Sequence, residues 1–322
     1  MTASLHPLPT GYSVRPPNVS DMGAIVKMIA AADMELYGES DASVDDIRFT
    51  WGWPRFDPAR DAWLIFGPGH GLVGYGRVWG PRTPLSECDG WIHIGPQVAD
   101  PDLGSALIAY MESRALERVS AAGTRGPTSL AIPAPAIDSR MLSLLGTRGY
   151  RPIRTFFRME LPLVKTESEV PRWPEGAEVS PFRRGADEAV VYDTIQESFA
   201  DHFRFMPEPF EDWARRAYRH ADFSPSLTFL VRVEGHVVAV SLNYRNPAEG
   251  WIGMLGVRRA WRHRGLATAL LHHSFAAFRD AGCLKGVLGV DSENADGATR
   301  LYEGVGMTVT RRYLLHSRTL AA

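Results

Sequence analysis

Apolar and polar positions follow two rhythms along this chain, and the rhythms recur. Segment 62–78, AWLIFGPGHGLVGYGRV, reads as strand, Gly-His turn and strand, and segment 228–244, TFLVRVEGHVVAVSLNY, reads the same way. Segment 251–257, WIGMLGV, is an apolar run of strand length. After it Ala267, Leu271, Phe275 and Phe278 recur at helical spacing, which predicts a helix opening at Gly265 and closing near Gly282. Segment 287–307 reads as strand, polar loop, short helix and a glycine stop.

These elements come in two sets. Val14-Arg15-Pro16 before Asp21 matches Val179-Ser180-Pro181 before Asp187, and Gly90-Trp91-Ile92 matches Gly250-Trp251-Ile252. LGSAL (103–107) matches LATAL (266–270), and 144–157 matches 301–314. With the hairpins, that makes matches in one order at a shift of about 160 residues, so the chain reads as a duplicated domain rather than a solenoid. Each set runs strand, one or two helices, hairpin, strand, helix, strand, helix, strand. That order predicts an α/β protein of the α+β kind, each half a mixed, mostly antiparallel sheet flanked by helices. Segment 161–177 carries prolines, charges and little periodicity, as an exposed linker does. The expected division is a domain at 1–160, a linker at 161–177 and a domain at 178–322.

Composition narrows the function. The chain has 322 residues and a net charge of −2, so two domains fit and no global field recruits nucleic acid or an acidic membrane. Cys88 and Cys283 stand far apart, which disfavours a disulfide framework and a cysteine zinc site. The opening MTASLHPLPTG lacks the basic and apolar regions of a signal peptide, and no run reaches the roughly 18 apolar residues of a membrane span. The expectation is a cytoplasmic monomer or homodimer with a small-molecule partner and neither nucleic acid nor membrane.

Positive charge is instead local. Arg258, Arg259, Arg262, His263 and Arg264 crowd the mouth of the helix that opens at Gly265. Cations at a helix N-terminus are unfavourable, and a bound anion reverses the sign. Free N–H groups, a glycine that permits close approach, and Arg262 with Arg264 make a cradle suited to phosphate or pyrophosphate. A solvated basic loop over an amphipathic helix is the plainer alternative. Asn294 and Tyr302, eight residues apart, can face one cleft from a strand end and the next helix. A lone tyrosine there would ordinarily be a packed aromatic.

Val257-x4-Arg262-x-x-Gly265-x-Ala267, with Asn294 and Leu301-Tyr302-x3-Gly306-Met307, resembles the acetyl-CoA motifs of the GNAT N-acetyltransferases. The double layout and the segment 197–213 resemble the tandem GNAT proteins that include mycothiol synthase. The resemblance implies acetyl-CoA as co-substrate and N-acetyl transfer to a primary amine of a small molecule by direct attack. It implies that Arg262, His263, Arg264, Gly265, Leu266 and Ala267 hold the pyrophosphate, with Asn294 assisting. Leu255 and Val257 would bond the pantetheine arm, and Tyr302 would be the general acid. Family members often carry a carboxylate on the preceding strand, where this chain has Trp251, Ile252, Gly253 and Met254. A glutamate is expected at Trp251 in mycothiol synthases, which weighs against that activity. The base is left among Glu249, Asp201, His202, His316 and a water chain, with Glu249 the residue named first. The alternative function is a non-catalytic acyl-CoA-binding sensor or partner-binding protein of the same fold.

The first half reads as a worn copy. Ala99 falls opposite Arg262, Asp102 opposite Gly265, and Leu145 opposite Tyr302. Asp100 and Asp102 suit a helix dipole and repel a pyrophosphate. This half is expected not to bind acetyl-CoA in the usual way, and to act as scaffold or as one wall of an acceptor pocket where the halves meet. Gly69-His70-Gly71-Leu72-Val73-Gly74 fits G-x-G-x-x-G, but a strand-like run follows, so it reads as a turn. His272 and His273 are adjacent on a helix and make a poor metal pair. Trp51, Trp53 and Phe56 read as core or pocket lining, since no basic stripe accompanies them.

Overall fold

A computed structural model describes residues 8–82, 86–98, 100–124, 126–163, 170–294 and 297–320. Ala99 and part of the 161–177 segment lie outside the described residues. The chain forms two compact units, Met1–Arg154 with Tyr313–Ala322, and Thr155–Arg312.

Unit 1 contains β1 (Ser13–Arg15), α1 (Met22–Tyr37), α2 (Val44–Trp51), α3 (Pro58–Asp61), β2 (Ala62–Phe66), β3 (Leu72–Arg82), β4 (Glu87–Ile94), α4 (Pro101–Ala122), β5 (Ser129–Pro135) and α5 (Ser139–Thr147). The chain then passes into unit 2 within β6 (Arg151–Pro162). Unit 2 adds β7 (Ala177–Pro181), α6 (Glu188–Phe199), α7 (Phe210–Tyr218), β8 (Phe229–Val233), β9 (His236–Arg245), β10 (Glu249–Val257), α8 (Leu266–Asp280), β11 (Lys285–Asp291) and α9 (Ala298–Gly304). The last strand, β12 (Thr308–Thr319), carries the chain back into unit 1.

Both units use one pairing scheme. In unit 1, β1 to β4 are antiparallel neighbours, β4 and β5 are parallel, and β5 and β12 are antiparallel. In unit 2, β7 to β10 are antiparallel, β10 and β11 are parallel, and β11 and β6 are antiparallel. Each parallel pair is joined by one helix, α4 or α8, as a crossover requires. The mixed, mostly antiparallel reading therefore holds for both units.

The observed units end differently from the sequence-based bounds. Phe156–Pro162 pair with Asp291–Lys285, so the end of β6 belongs to unit 2. Tyr313–Thr319 pair with Pro135–Ser129, so the end of β12 belongs to unit 1. Ladder partners decide the unit, and a sequence repeat does not specify partners.

In unit 2, α8 buries Leu270, Leu271, Phe275 and Phe278 against the sheet. Burying each such side chain contributes roughly 1.5–3 kcal/mol. The fit depends on glycines beneath the helix. A Cβ at Gly250 would stand 2.2 Å from Phe278, and one at Gly286 would stand 2.6 Å from Phe275. On the other face α6 lies so near β10 that a Cβ at Gly256 would meet Ile195 and Ser198 at 3.0 Å. In unit 1, the Gly-rich segment is the β2–β3 turn, with His70 at φ 58°. Among the described residues no helix is long and apolar enough to cross a membrane, and no His, Cys, Asp and Glu cluster could hold a metal.

Candidate active site

The site begins where two strands part. β10 and β11 pair only from Glu249 opposite Lys285 to Ile252 opposite Leu288, although β10 continues to Val257 and β11 to Asp291. Against β9, the register of β10 shifts between Ile252 and Met254, a bulge that bends the strand. Gly253 sits in that bulge because a Cβ there would stand 2.3 Å from the Tyr244 ring. The facing backbone edges beyond Ile252 and Leu288 thus leave the β10–β11 ladder. A cavity of about 320 Å³ opens in the split. It is lined by both strands, the end of α6, the loop after β10, the first turn of α8, and α9.

The mouth of α8 has no side-chain cap, and no acidic residue stands in its first turn. Its first N–H groups therefore lack intrahelical acceptors. Gly265 is the N-cap at φ 82°, and His263 is also left-handed at φ 60°. A Cβ at Gly265 would meet nothing within 4 Å, so glycine serves the backbone angle and leaves room for a ligand. The basic crowding resolves residue by residue. Arg258 pairs with Glu197 and Arg259 with Asp201, both from the end of α6 and the loop after it. Arg262 donates to the Ser198 carbonyl at 2.9 Å and lines the cavity with His263. Arg264 lies over the Trp261 ring at 4.6 Å and donates to the Ala260 carbonyl.

Leu255, Val257, Arg262, His263, Gly265, Leu266, Ala267, Asn294 and Tyr302 all line the one cavity. Arg264 is not among its lining residues. Tyr302 is buried, and burial pushes its phenol up to about 12. Among the described residues its hydroxyl has no hydrogen-bond partner.

The structure corrects the reading of Glu249. It is not a lining residue. Its carboxylate is held by Arg158 at 2.8 Å and Lys285 at 3.1 Å, in a buried cluster with Glu160. Its carboxylate is thus committed to two cations within the sheet. Asp201 is engaged by Arg259, and His316 pairs opposite Ile132 in unit 1. Of the candidate bases only His202 reaches the cavity.

Asp291 also lines the cavity and was not singled out in the sequence. Glu249 opposite Lys285 and Trp251 opposite Val287 share one face of the sheet, and alternation along β11 carries that face to Gly289 and Asp291. Asp291 thus lies on the Trp251 face, the side on which the expected strand carboxylate is missing. The period-two pattern of β11 carried this signal. The absence of pairing between the strand ends did not show in the sequence.

The mixed sheet thus splits at its parallel pair, with an uncapped helix mouth and a buried phenol at the split. The Acetyltransferase (GNAT) family pattern matches residues 191–307. A GCN5-related N-acetyltransferase from Sphaerobacter thermophilus is 30% identical, with a TM-score of 0.82 and coverage of 97% of both chains. The chain belongs to the GCN5-related N-acetyltransferase family. A tandem GNAT protein from the clavulanic acid biosynthesis pathway shares the fold at 16% identity, with a TM-score of 0.73 and coverage of 97% of this chain and 99% of that one. A mycothiol acetyltransferase from Geodermatophilus obscurus is 26% identical over 305 residues, which are 91% of this chain and 92% of the relative.

Proposed function

We propose that this acetyltransferase moves an acetyl group from acetyl-CoA to a primary amine of a small molecule by direct attack. One observation carries the reading: the uncapped mouth of α8 and the unpartnered Tyr302 hydroxyl belong to a single cavity. Acetyl-CoA supplies an acyl group activated as a thioester. The N–H groups of Leu266, Ala267 and Thr268 and the Arg262 and His263 side chains would hold its pyrophosphate, with Asn294 beside them. The free backbone edge from Gly253 to Val257, Leu255 and Val257 included, would bond the pantetheine arm. A strand N–H on that edge would polarise the thioester carbonyl.

Tyr302 is the proton donor to the departing sulfur. Its phenol, held near 12, stays protonated at working pH. Asp291 takes the proton that the amine must lose, in place of the strand carboxylate whose position Trp251 occupies. The mycothiol acetyltransferase relatives support a small-molecule acceptor. Trp251 makes the acceptor side of this chain its own.

Among the described residues the equivalent helix mouth in unit 1 is already capped. Asp100 caps α4 by accepting from the Asp102 N–H at 3.0 Å, and Pro101 removes another donor. One acetyl-CoA per chain follows. Under the alternative, a non-catalytic acyl-CoA binder, replacing Tyr302 or Asp291 would change nothing but affinity. The test is release of CoA thiol from acetyl-CoA with a panel of small primary amines. Amine-dependent release is expected, and its absence for every amine with acetyl-CoA bound would favour the binder.

A further inference from the structure

Arg77 stands on β3 directly opposite Trp91 on β4. Tyr75, Arg77 and Trp79 share the sheet face away from α4, which lies so close on the other side that a Cβ at Gly76 would be 2.8 Å from Leu107. The Arg77 guanidinium lies 3.9 Å from the Trp91 ring centre and 5.5 Å from that of Trp53. Trp53 meets Trp79 at 5.7 Å and Trp91 at 6.1 Å, both edge-on. Two indoles, Trp91 and Trp53, therefore flank the guanidinium, with Trp79 packed against Trp53, and Arg77, Trp53 and Trp91 each remain partly exposed.

Among the described residues this guanidinium has no hydrogen-bond acceptor and no ion pair in direct contact; Tyr75 and Asp89 act on it only through longer-range attraction, and its Nη1 is buried without an acceptor. Trp53 Nε1 is likewise buried without an acceptor. The neighbouring indoles are satisfied. Trp51 donates to the Tyr75 hydroxyl at 3.0 Å, and Trp79 donates to the Pro54 carbonyl at 3.3 Å. Ring faces attract a cation but offer no lone pair to the five N–H donors of an arginine. Burial pulls Arg77 down to about 10, so it stays charged at neutral pH. His93, pushed down to about 4 by burial and then by Arg77, stays neutral beside it.

The sheet does not demand this arginine. The matching pair in unit 2 is Tyr244 opposite Trp251, and the Tyr244 hydroxyl donates to the Ala217 carbonyl at 3.0 Å. An unsatisfied planar fork between flat apolar walls complements a carboxylate attached to a flat group.

We propose that unit 1 carries a second ligand site, in which Arg77 and the Trp53 indole N–H bind the carboxylate of a flat small molecule held against Trp53 and Trp91. The site is separate from the cavity between β10 and β11 and does not rest on the acetyl-transfer reading. The probe is benzoate, titrated calorimetrically into the full chain, with benzyl alcohol and inorganic phosphate as comparisons. Benzoate is expected to bind the native chain more tightly than either comparison. Its affinity should fall about tenfold or more in Arg77→Gln, as loss of a charge-assisted bidentate contact implies. Trp53→Phe keeps a ring and removes only the N–H, so it should weaken benzoate several-fold, and it serves if Arg77→Gln fails to fold. Gly265→Asp should leave benzoate binding unchanged. Absence of benzoate binding to the native chain, phosphate binding more tightly than benzoate, or undiminished binding in the Arg77 or Trp53 variant would each overturn the proposal.

Discussion

Tyr302 shows how much one residue's setting decides. Its proposed use as an acid rests on a hydroxyl that no described residue engages, with burial holding the phenol near 12. Tyr302→Phe is expected to lower kcat about 10²-fold or more while leaving the KM for acetyl-CoA nearly unchanged, as loss of a general acid does. A raised phenol pKa means the donor form persists as pH rises, so in the native enzyme the donor should cause no fall in kcat below about pH 11. Steady-state rates across pH check both expectations. Asp291→Asn should lower kcat at least about tenfold with little change in the KM for acetyl-CoA, whereas His202→Asn should leave kcat nearly unchanged. That Tyr302, Asn294 and Gly265 face one cavity was legible in the sequence because their spacing is fixed within short local motifs. The ion pairing of Glu249 was not legible because its partner Arg158 comes from β6, far away in sequence. The place of Asp291 in the cavity was not legible because it depends on a strand edge left unpaired.

At the scale of elements, the buried cluster of Arg158, Glu160, Glu249 and Lys285 ties β6, β10 and β11 together just before β10 and β11 part. Burial raises the Glu160 pKa, but hydrogen bonds from Arg158 and Lys285 outweigh it and leave the carboxyl below its ordinary value. A depressed carboxyl contributes stability above its unfolded pKa of about 4.3 and loses it as pH falls through the folded value. The thermal midpoint should therefore fall more steeply below about pH 4 in the native chain than in Glu160→Gln. Glu249→Gln should destabilise by about 1–3 kcal/mol, less than a fully broken buried pair, because Glu160 still holds both cations. Thermal and denaturant unfolding measure it. Hairpins, crossover helices and the glycine-headed α8 were readable from periodicity and turn residues. The passage of β6 and β12 from one unit to the other was not, since pairing partners leave no mark in a strand's own pattern.

The whole molecule is a duplication whose copies have diverged in opposite directions. Unit 2 leaves its crossover helix uncapped, and unit 1 caps the equivalent helix with Asp100. Unit 2 satisfies the tyrosine opposite its strand tryptophan, and unit 1 leaves an arginine there without an acceptor. The repeat and the worn motif of unit 1 were visible in the sequence, because lost charges and added carboxylates are local changes. The Arg77 box was not, because it gathers side chains from β3, β4 and the segment after α2.

Acetyl-CoA is proposed to be held at the mouth of α8 and nowhere else in the chain. Calorimetric titration of acetyl-CoA into the native chain and into Gly265→Asp tests this placement most directly. The substituted side chain has space, and an aspartate tolerates a left-handed backbone better than most residues, so the variant should fold. One site per chain and at least about a tenfold loss of affinity in the variant are expected, from like charge at the cradle. Two sites per chain, no binding, or equal binding to the variant would contradict it.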